Sequence, residues 1–269
     1  MHGAANDFVV VDHREPFLDE PLGGLVARMC DRRRGVGADG LLLLDSDPEL
    51  DFAMRYFNAD GGAADYCGNG ARCLARLALD LGLGRAGEVR FRTAVGVQSA
   101  RRSGDEVEVR FGRVAAPERR DGLAAAAREF SGWLVRAGVP HLVVEVSRLA
   151  EVPLAEWGAA LRHHAAWGAE GANVDFCEPR GSGLTGMRTY ERGVEGETLA
   201  CGSGAIATAL SRAATGAASP AQVETAGGDT LTVRWQMQGD DYEVWLAGPA
   251  EVAYAGAWPQ IAPAGAARR

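Results

Sequence analysis

The chain has 269 residues, of which 47% are hydrophobic, and a formal net charge of −8. This length is enough for one or two domains with sizeable cores, and the acidic balance argues against nucleic acid or an anionic membrane as a partner. All 28 residues counted as lysine or arginine are arginine. Without lysine, the chain can form neither the Schiff base of a pyridoxal phosphate enzyme nor a Walker A phosphate loop.

The five cysteines include no CxxC pair, and the chain is too long for a small disulfide scaffold. No apolar stretch approaches the roughly 18 residues of a membrane span, and the start of the chain lacks a basic segment followed by an apolar run. We therefore expect a cytoplasmic protein with reduced thiols.

The first half alternates strands, turns and helices. The sequence predicts strands over 8–12 and 51–57 and near Leu41, with a helix over 22–31. A turn cluster at 58–62 precedes a helix over 72–81, and three short strands follow at 89–92, 96–100 and 106–111. A polar, alanine-rich stretch at 114–129 is interpreted as the crossing to the second half.

The second half repeats this order. Strands are predicted over 133–137, 141–146, 173–177 and 187–190, helices over 154–165 and 206–213, and closing strands over 222–225, 230–236 and 241–247. The repeat predicts an α+β fold of two strand-rich lobes, each wrapped around a central helix. The predicted lobes are residues 1–113 and 114–254.

Both central helices begin at a similar cysteine. Cys67 opens the run CGNGA, and Cys201 opens the run CGSGA. A cysteine at a helix N-terminus lies beside unpaired backbone N–H groups and the positive end of the helix dipole. Such a position lowers a thiol pKa from roughly 8.5 toward about 3.5–7.5. Two such thiols suggest a matched acid/base pair facing one substrate.

This pair suits removal of the α-proton of an amino acid. Without an electron-sink cofactor, the reaction needs a dry site with strong donors on the substrate carboxylate, and two helix N-termini supply them. One thiolate removes the proton from one face while the opposed thiol protonates the other, which inverts the configuration. The alternative is that both cysteines are small buried residues at turns. The cysteine and histidine spacings do not favour a zinc site, so no metal is expected.

The chain resembles the diaminopimelate epimerase family in a series of ordered motifs. They are NDF at 6–8, GVGADG at 35–40, FNADG at 57–61, CGNGARC at 67–73, VPH at 139–141, ANV at 172–174, YERG at 190–193 and ETLACGSG at 197–204. The resemblance covers nearly the whole chain. It implies two pseudo-symmetric α+β domains with the active site in the cleft between them, and a last segment, 255–269, that returns to the first domain. It also implies interconversion of LL- and meso-2,6-diaminopimelate by two cysteines without a cofactor. That reaction belongs to lysine and peptidoglycan precursor synthesis.

The resemblance also implies roles for individual residues. Cys67 and Cys201 would be the acid/base pair. The residues implied to bind the substrate are Asn6, Asn58, Asn173, Glu191 and Arg192. Those implied to donate to the carboxylate at the reacting centre are Gly68, Asn69, Gly202 and Ser203. Those implied to tune the thiols are His141 and Glu191.

Some positions depart from the family pattern. Ala5 stands where many members have glycine, and Val139 replaces an asparagine before the Pro-His pair. Gly40 and Gly62 replace a glutamine and a serine found in some members. These changes affect recognition of the distal end of the substrate, so a racemase or epimerase of another amino acid on the same fold is the alternative function. A non-catalytic anion-binding or thiol redox module is a third hypothesis. A homodimer is compatible with the resemblance, and the sequence does not decide it.

Overall fold

The computed structural model describes residues 1–181 and 183–258. They form 17 strands and four α-helices, which confirms the α+β class. The helices are α1 (Gly23–Cys30), α2 (Gly68–Asp80), α3 (Leu154–Arg162) and α4 (Gly202–Ala213), with short 3₁₀ helices at Leu149–Glu151 and Ala165–Trp167. No helix in these ranges has the length and apolar character needed to cross a membrane.

The strands fall into two series. The first is β1 (His2–Gly3), β2 (Asn6–Asp12), β3 (Gly40–Asp45), β4 (Phe52–Asn58), β5 (Ala63–Ala64), β6 (Glu88–Thr93), β7 (Gly96–Ser103) and β8 (Glu106–Ala115). The second is β9 (Glu118–Ala125), β10 (Arg128–Ala137), β11 (Val139–Glu145), β12 (Asn173–Pro179), β13 (Leu184–Glu191), β14 (Gly196–Thr198), β15 (Ala221–Glu224), β16 (Thr230–Gln238) and β17 (Asp241–Gly248).

The strand pairing repeats almost element for element. In the first series β2 and β3 are parallel, β4 is antiparallel to β3 and parallel to β6, and β6, β7 and β8 form an antiparallel meander. In the second series β11 and β12 are parallel, β13 is antiparallel to β12 and parallel to β15, and β15, β16 and β17 form the meander. We call β1–β7 with α1 and α2 the first lobe, and β9–β16 with α3 and α4 the second lobe.

Each lobe packs around one helix of small and aliphatic residues. Alanine on the buried faces of these helices lets the strands approach closely. In the first lobe, α2 buries its alanines against an apolar core that includes the stacked rings of Phe52 and Phe91, whose centroids are 4.7 Å apart. In the second lobe, α4 buries Ala205, Ile206, Ala207, Ala209 and Leu210.

The lobes are joined through β8 and β17, which pair antiparallel with Val109 opposite Leu246. Val109 belongs to the first core, whereas Val114 of the same strand belongs to the second. The predicted boundary between residues 113 and 114 therefore lies within a strand that serves both cores. Trp258 packs against the apolar cluster around α1, and residues 259–269 of the predicted returning segment lie outside the described residues. The exact lobe boundaries stay a prediction.

The stretch 114–129, interpreted as the crossing to the second half, is formed by strands. This stretch completes β8 and forms β9, which pairs with β10 in a hairpin. Ala126 and Ala127 occupy the turn with φ values of 49° and 55°. Turns with two positive φ angles normally carry asparagine or glycine. Because both turn residues here are alanine, the sequence contains no local signal for this hairpin.

Candidate active site

The two cysteines lie on one cavity between the lobes. This cavity has a volume of about 850 Å³, and its walls include Cys67 and Cys201. Each cysteine is the N-cap residue of its helix, with extended φ angles of −142° at Cys67 and −130° at Cys201. The helices begin at Gly68 and Gly202, four residues before the predicted starts, because the glycines are themselves helical. The chain thus brings two helix starts, each headed by a thiol, to a common space.

Nine of the twelve predicted site residues line this cavity. Besides the two cysteines they are Asn6, Asn58, Gly68, Asn69, Glu191, Gly202 and Ser203. Asn6 begins β2, Asn58 ends β4 and Glu191 ends β13. Strand ends free their side chains from the core packing, so the polar groups collect at the mouth of the cleft.

His141, Asn173 and Arg192 do not line the cavity. His141 is fully buried, and Asn173 is 4% exposed. The Arg192 backbone N–H donates to Asn173 Oδ1 at 2.7 Å, and the Arg192 guanidinium pairs with Glu170 at 2.9 Å. These residues form a layer behind the second thiol, and their direct contact with substrate stays a prediction.

A chain of hydrogen bonds runs inward from Cys201. Its Sγ accepts the Gly204 N–H at 3.4 Å and lies 3.5 Å from Ser203 Oγ. Ser203 Oγ is 3.0 Å from His141 Nε2, and His141 Nδ1 is 2.7 Å from Asp175 Oδ2. The second thiol is therefore connected through a hydroxyl to a buried histidine and carboxylate.

Sequence reasoning missed Asp175 and Thr189. Asp175 is fully buried, and the Thr189 hydroxyl donates to its Oδ1 at 2.7 Å. Asp175 follows Asn173 by two positions in a strand, so both side chains point to the same face. An acidic residue inside an otherwise apolar strand was the available signal, since buried carboxylates need partners.

The contacts of Asn173 assign the tautomer of His141. A backbone N–H can only donate, so the amide oxygen of Asn173 must face Arg192 and its NH₂ must face His141 Nε2, 3.2 Å away. Nε2 therefore accepts, and the ring proton sits on Nδ1, where it is donated to Asp175.

The surroundings of Cys67 are different. Its Sγ lies 3.5 Å from Asn6 Oδ1, which also accepts from Asn69 Nδ2 at 3.3 Å. Asn6 in turn donates to Asp39 Oδ2 at 2.7 Å, and Arg72 donates to Asn69 Oδ1 at 2.8 Å. Arg72 was not predicted as a site residue, although it is fully buried and lines the cavity.

The helix starts do not lower the pKa of either thiol in this structure. Burial raises the pKa of both, to about 12 for Cys201. The N–H groups of Asn69 and Gly70 oppose this effect at Cys67, and that of Gly204 opposes it at Cys201. The expected lowering is wrong here because removing a sulfur from water disfavours its charged form more strongly than a few donors favour it.

Comparison with known proteins identifies the family of this chain. The diaminopimelate epimerase family model matches residues 1–116 and 133–252. The chain belongs to the diaminopimelate epimerase family. A diaminopimelate epimerase from Aquifex aeolicus is 38% identical over 261 residues, which cover 92% of each chain. One from Chlorobaculum tepidum is also 38% identical, covering 95% of this chain and 98% of the relative.

Solved structures show how far the diaminopimelate epimerase fold extends. A hydroxyproline epimerase from Agrobacterium vitis superposes with a TM-score of 0.64 at 19% identity, covering 92% of this chain and 87% of that structure. A Bacillus anthracis protein of the PhzF phenazine biosynthesis family superposes with a TM-score of 0.68 at 15% identity, covering 93% and 92%. At such low identity these likenesses establish the shared fold alone.

Proposed function

We propose that the protein interconverts LL- and meso-2,6-diaminopimelate without a cofactor, using Cys67 and Cys201 as its acid/base pair. Family membership supports the reaction, and the two N-cap thiols on one cavity carry the assignment of residues. A small-molecule substrate fits a cavity of about 850 Å³.

The proton transfer needs only these two sulfurs. The thiolate of one cysteine takes the α-proton from one face, and the electron pair of the broken C–H bond moves into the α-carboxylate. The thiol of the other cysteine then donates its proton to the opposite face, which forms the new C–H bond. After one turnover the two sulfurs have exchanged protonation states, so the reverse reaction uses the same pair.

The starts of α2 and α4 hold the α-carboxylate. Gly68 and Asn69 in one helix, and Gly202 and Ser203 in the other, present first-turn N–H groups, which have no acceptors within their helices. Donors placed at a helix N-terminus bind anions and stabilise negative charge that develops during reaction. The substrate also carries an α-ammonium group, and a nearby cation lowers a thiol pKa. Substrate binding thus offsets the pKa increase caused by burial.

The distal end of the substrate is bound by polar groups at the cleft mouth. Asn6, Asn58 and Glu191 already line the cavity. Arg192 must leave Glu170 to reach a distal carboxylate, and an exposed pair of this kind contributes only about 0–1 kcal/mol. A substrate carboxylate can therefore replace Glu170, with Asn173 holding the Arg192 backbone in place.

One observation favours the second candidate function, epimerisation of a different amino acid. Val139 lines the cavity and offers no polar group at the position where the sequence departs from the family pattern. A substrate with an apolar side chain would suit this wall better than a distal zwitterion.

Deuterium incorporation tests the proposal. LL-diaminopimelate incubated with enzyme in deuterated water should yield meso product carrying α-deuterium. Cys67→Ser and Cys201→Ser should each lower the rate at least about 100-fold, within the usual contribution of a general acid or base. Cys30→Ala, which alters a buried cysteine in the α1 cluster, serves as the control and should stay within about threefold. Absence of both exchange and product with the wild-type protein would refute the diaminopimelate assignment.

We also propose a cytoplasmic location, which the five free thiols of the structure support because reducing compartments preserve them. Homodimer formation stays a prediction, and the mass in solution measured by light scattering tests it.

A further inference from the structure

Arg72 is a buried cation that forms no salt bridge with a described residue, although the charge of Glu106 acts on it. It lies in the second turn of α2, is 0% exposed, and lines the cavity. Within the described chain its Nη2 donates to Asn69 Oδ1 at 2.8 Å and its Nε donates to Pro249 O at 3.4 Å. Its buried Nη1 has no partner among these residues. Both acceptors are neutral, although a buried guanidinium usually requires an anion.

The second lobe has the opposite charge at its thiol. Arg72 follows Cys67 by five positions, and the residue five positions after Cys201 is Ile206, which is buried and apolar. Asp175 is the third residue of β12 that pairs with the parallel strand β11. In the first lobe, the third residue of β3 that pairs with the parallel strand β2 is Leu42, which is apolar. One thiol is thus accompanied by a buried cation and the other by a buried carboxylate.

We infer that Arg72 is the counter-charge of a Cys67 thiolate. When the pair of sulfurs holds a single proton, that proton resides on Cys201 and the negative charge resides on Cys67. This inference rests on the proposed role of the two thiols and adds which of them ionises first.

Hydrogen-bond directions at Cys201 support a protonated thiol. Because His141 Nε2 accepts, a Ser203 hydroxyl that donates to it offers its own oxygen to the Cys201 S–H, and the same hydroxyl favours the thiolate only when it turns from His141 to the sulfur. The chain of donors ends at Asp175, whose negative charge further disfavours a thiolate at Cys201. Ionising Cys201 would remove the first donor of this chain.

Charges and donors at Cys67 favour the thiolate. The N–H groups of Asn69 and Gly70 favour the Cys67 thiolate, although neither makes a hydrogen bond to the sulfur, and the Arg72 charge acts in the same direction. Asn6 Oδ1 opposes ionisation, but it is a neutral amide at 3.5 Å against a full positive charge.

The other ionisable groups near the two sulfurs do not favour either thiolate. Glu191 disfavours ionisation of both thiols. Tyr56, Tyr66 and Cys73 are also near Cys67, and they are neutral at pH 7 because burial raises the pKa of each.

Alkylation as a function of pH tests the inference without relying on turnover. The full-length protein, free of substrate, is treated with iodoacetamide from pH 6 to pH 11, and the modified Cys67 and Cys201 peptides are quantified by mass spectrometry. The accessibility of each cysteine sets the plateau of its alkylation rate at high pH, whereas its ionisation sets the pH at which the rate curve inflects. The inflection of Cys67 should lie at least about one pH unit below that of Cys201, which corresponds to a tenfold difference in thiolate fraction.

Arginine variants identify the source of the difference. Arg72→Gln should raise the inflection of Cys67 by about one unit, and Arg72→Lys should keep it below that of Cys201. Arg76→Gln, one turn further along α2 and paired with Asp80, is the matched control and should change neither inflection.

Two results overturn the inference: an inflection of Cys201 below that of Cys67 in the wild type, or an unchanged Cys67 inflection in Arg72→Gln. If Arg72→Gln does not fold, the inference is tested by the order of the two inflections in the wild type and by the Cys67 inflection in Arg72→Lys. Deuterium exchange reads out the proposed function separately. If Cys67 ionises before Cys201 but no deuterium is exchanged, the proposed function is refuted. If deuterium is exchanged but Cys201 ionises first, only the inferred role of Arg72 is refuted.

Discussion

Replacing Gly204 by alanine should destabilise the second lobe far more than the same change at Gly70, its counterpart in the first. Both glycines stand three positions after a cysteine at a helix start. A Cβ at Gly204 would lie 2.5 Å from Asp175 Oδ1, whereas a Cβ at Gly70 would meet a methyl of Leu42 at 3.1 Å. A leucine methyl can move by a few tenths of an ångström, but the carboxylate is held by Thr189 and His141.

The magnitude follows from these contacts. Overpacking a tight site costs about 1–3 kcal/mol, and losing a hydrogen bond to a buried charged group costs a further 1.5–3 kcal/mol or so. After the gain of about 1 kcal/mol in helix propensity that alanine brings at either glycine, we expect Gly204→Ala to lower the free energy of unfolding by about 2–5 kcal/mol. At Gly70 the helix propensity gained by alanine, about 1 kcal/mol, offsets the mild crowding, so Gly70→Ala should stay within about 1 kcal/mol of the wild type.

Urea unfolding followed by circular dichroism measures both variants. Gly68→Ala is the control, since a Cβ there meets nothing within 4 Å. If Gly204→Ala falls within about 0.5 kcal/mol of Gly70→Ala, the close approach of α4 to Asp175 is not what requires glycine, and the reasoning fails.

Three further predictions concern pH, the substrate and a turn. Burial raises the pKa of Cys177 and Cys201 to about 12. As the pH rises, these two thiols therefore ionise in the unfolded chain before they ionise in the folded protein. The free energy of unfolding should fall by about 1 kcal/mol per pH unit for each thiol above pH 9 or so. Urea unfolding at pH 8–10 checks this, and a slope unchanged by Cys177→Ala would contradict it. Val139→Asn should lower the KM for diaminopimelate by restoring a polar group on the cavity wall, and an unchanged or higher KM in steady-state kinetics would count against that role. Replacing Ala126-Ala127 by Asn-Gly should raise the free energy of unfolding by about 1 kcal/mol, because glycine relieves its positive φ; a melting temperature at or below the wild-type value would refute this.

The order of elements was predictable from local pattern. The helix over 22–31, the strand over 173–177 and both cysteine helices appear in the structure within a few residues of the prediction. Side-chain periodicity and turn residues act over a few positions, so the sequence displays them directly. The family was visible for a similar reason, since its motifs are short runs of residues with their spacing preserved.

Other features depended on residues far apart in the chain. Cys67 and Cys201 reach one cavity because β8 and β17 pair and join the lobes. Asp175 in β12 acquires its hydrogen-bond partners from two other strands, His141 in β11 and Thr189 in β13, which no single stretch of sequence shows.

The sequence by itself determined which groups could do the chemistry: two thiols at helix starts, no lysine, and polar residues at strand ends. Only the tertiary structure decided their electrostatic state. Desolvation and charge depend on everything packed around a sulfur, so burial raised the pKa of both thiols where the local motif predicted a decrease. The same packing gave one thiol a buried arginine and the other a buried aspartate, and it made two similar motifs chemically unequal.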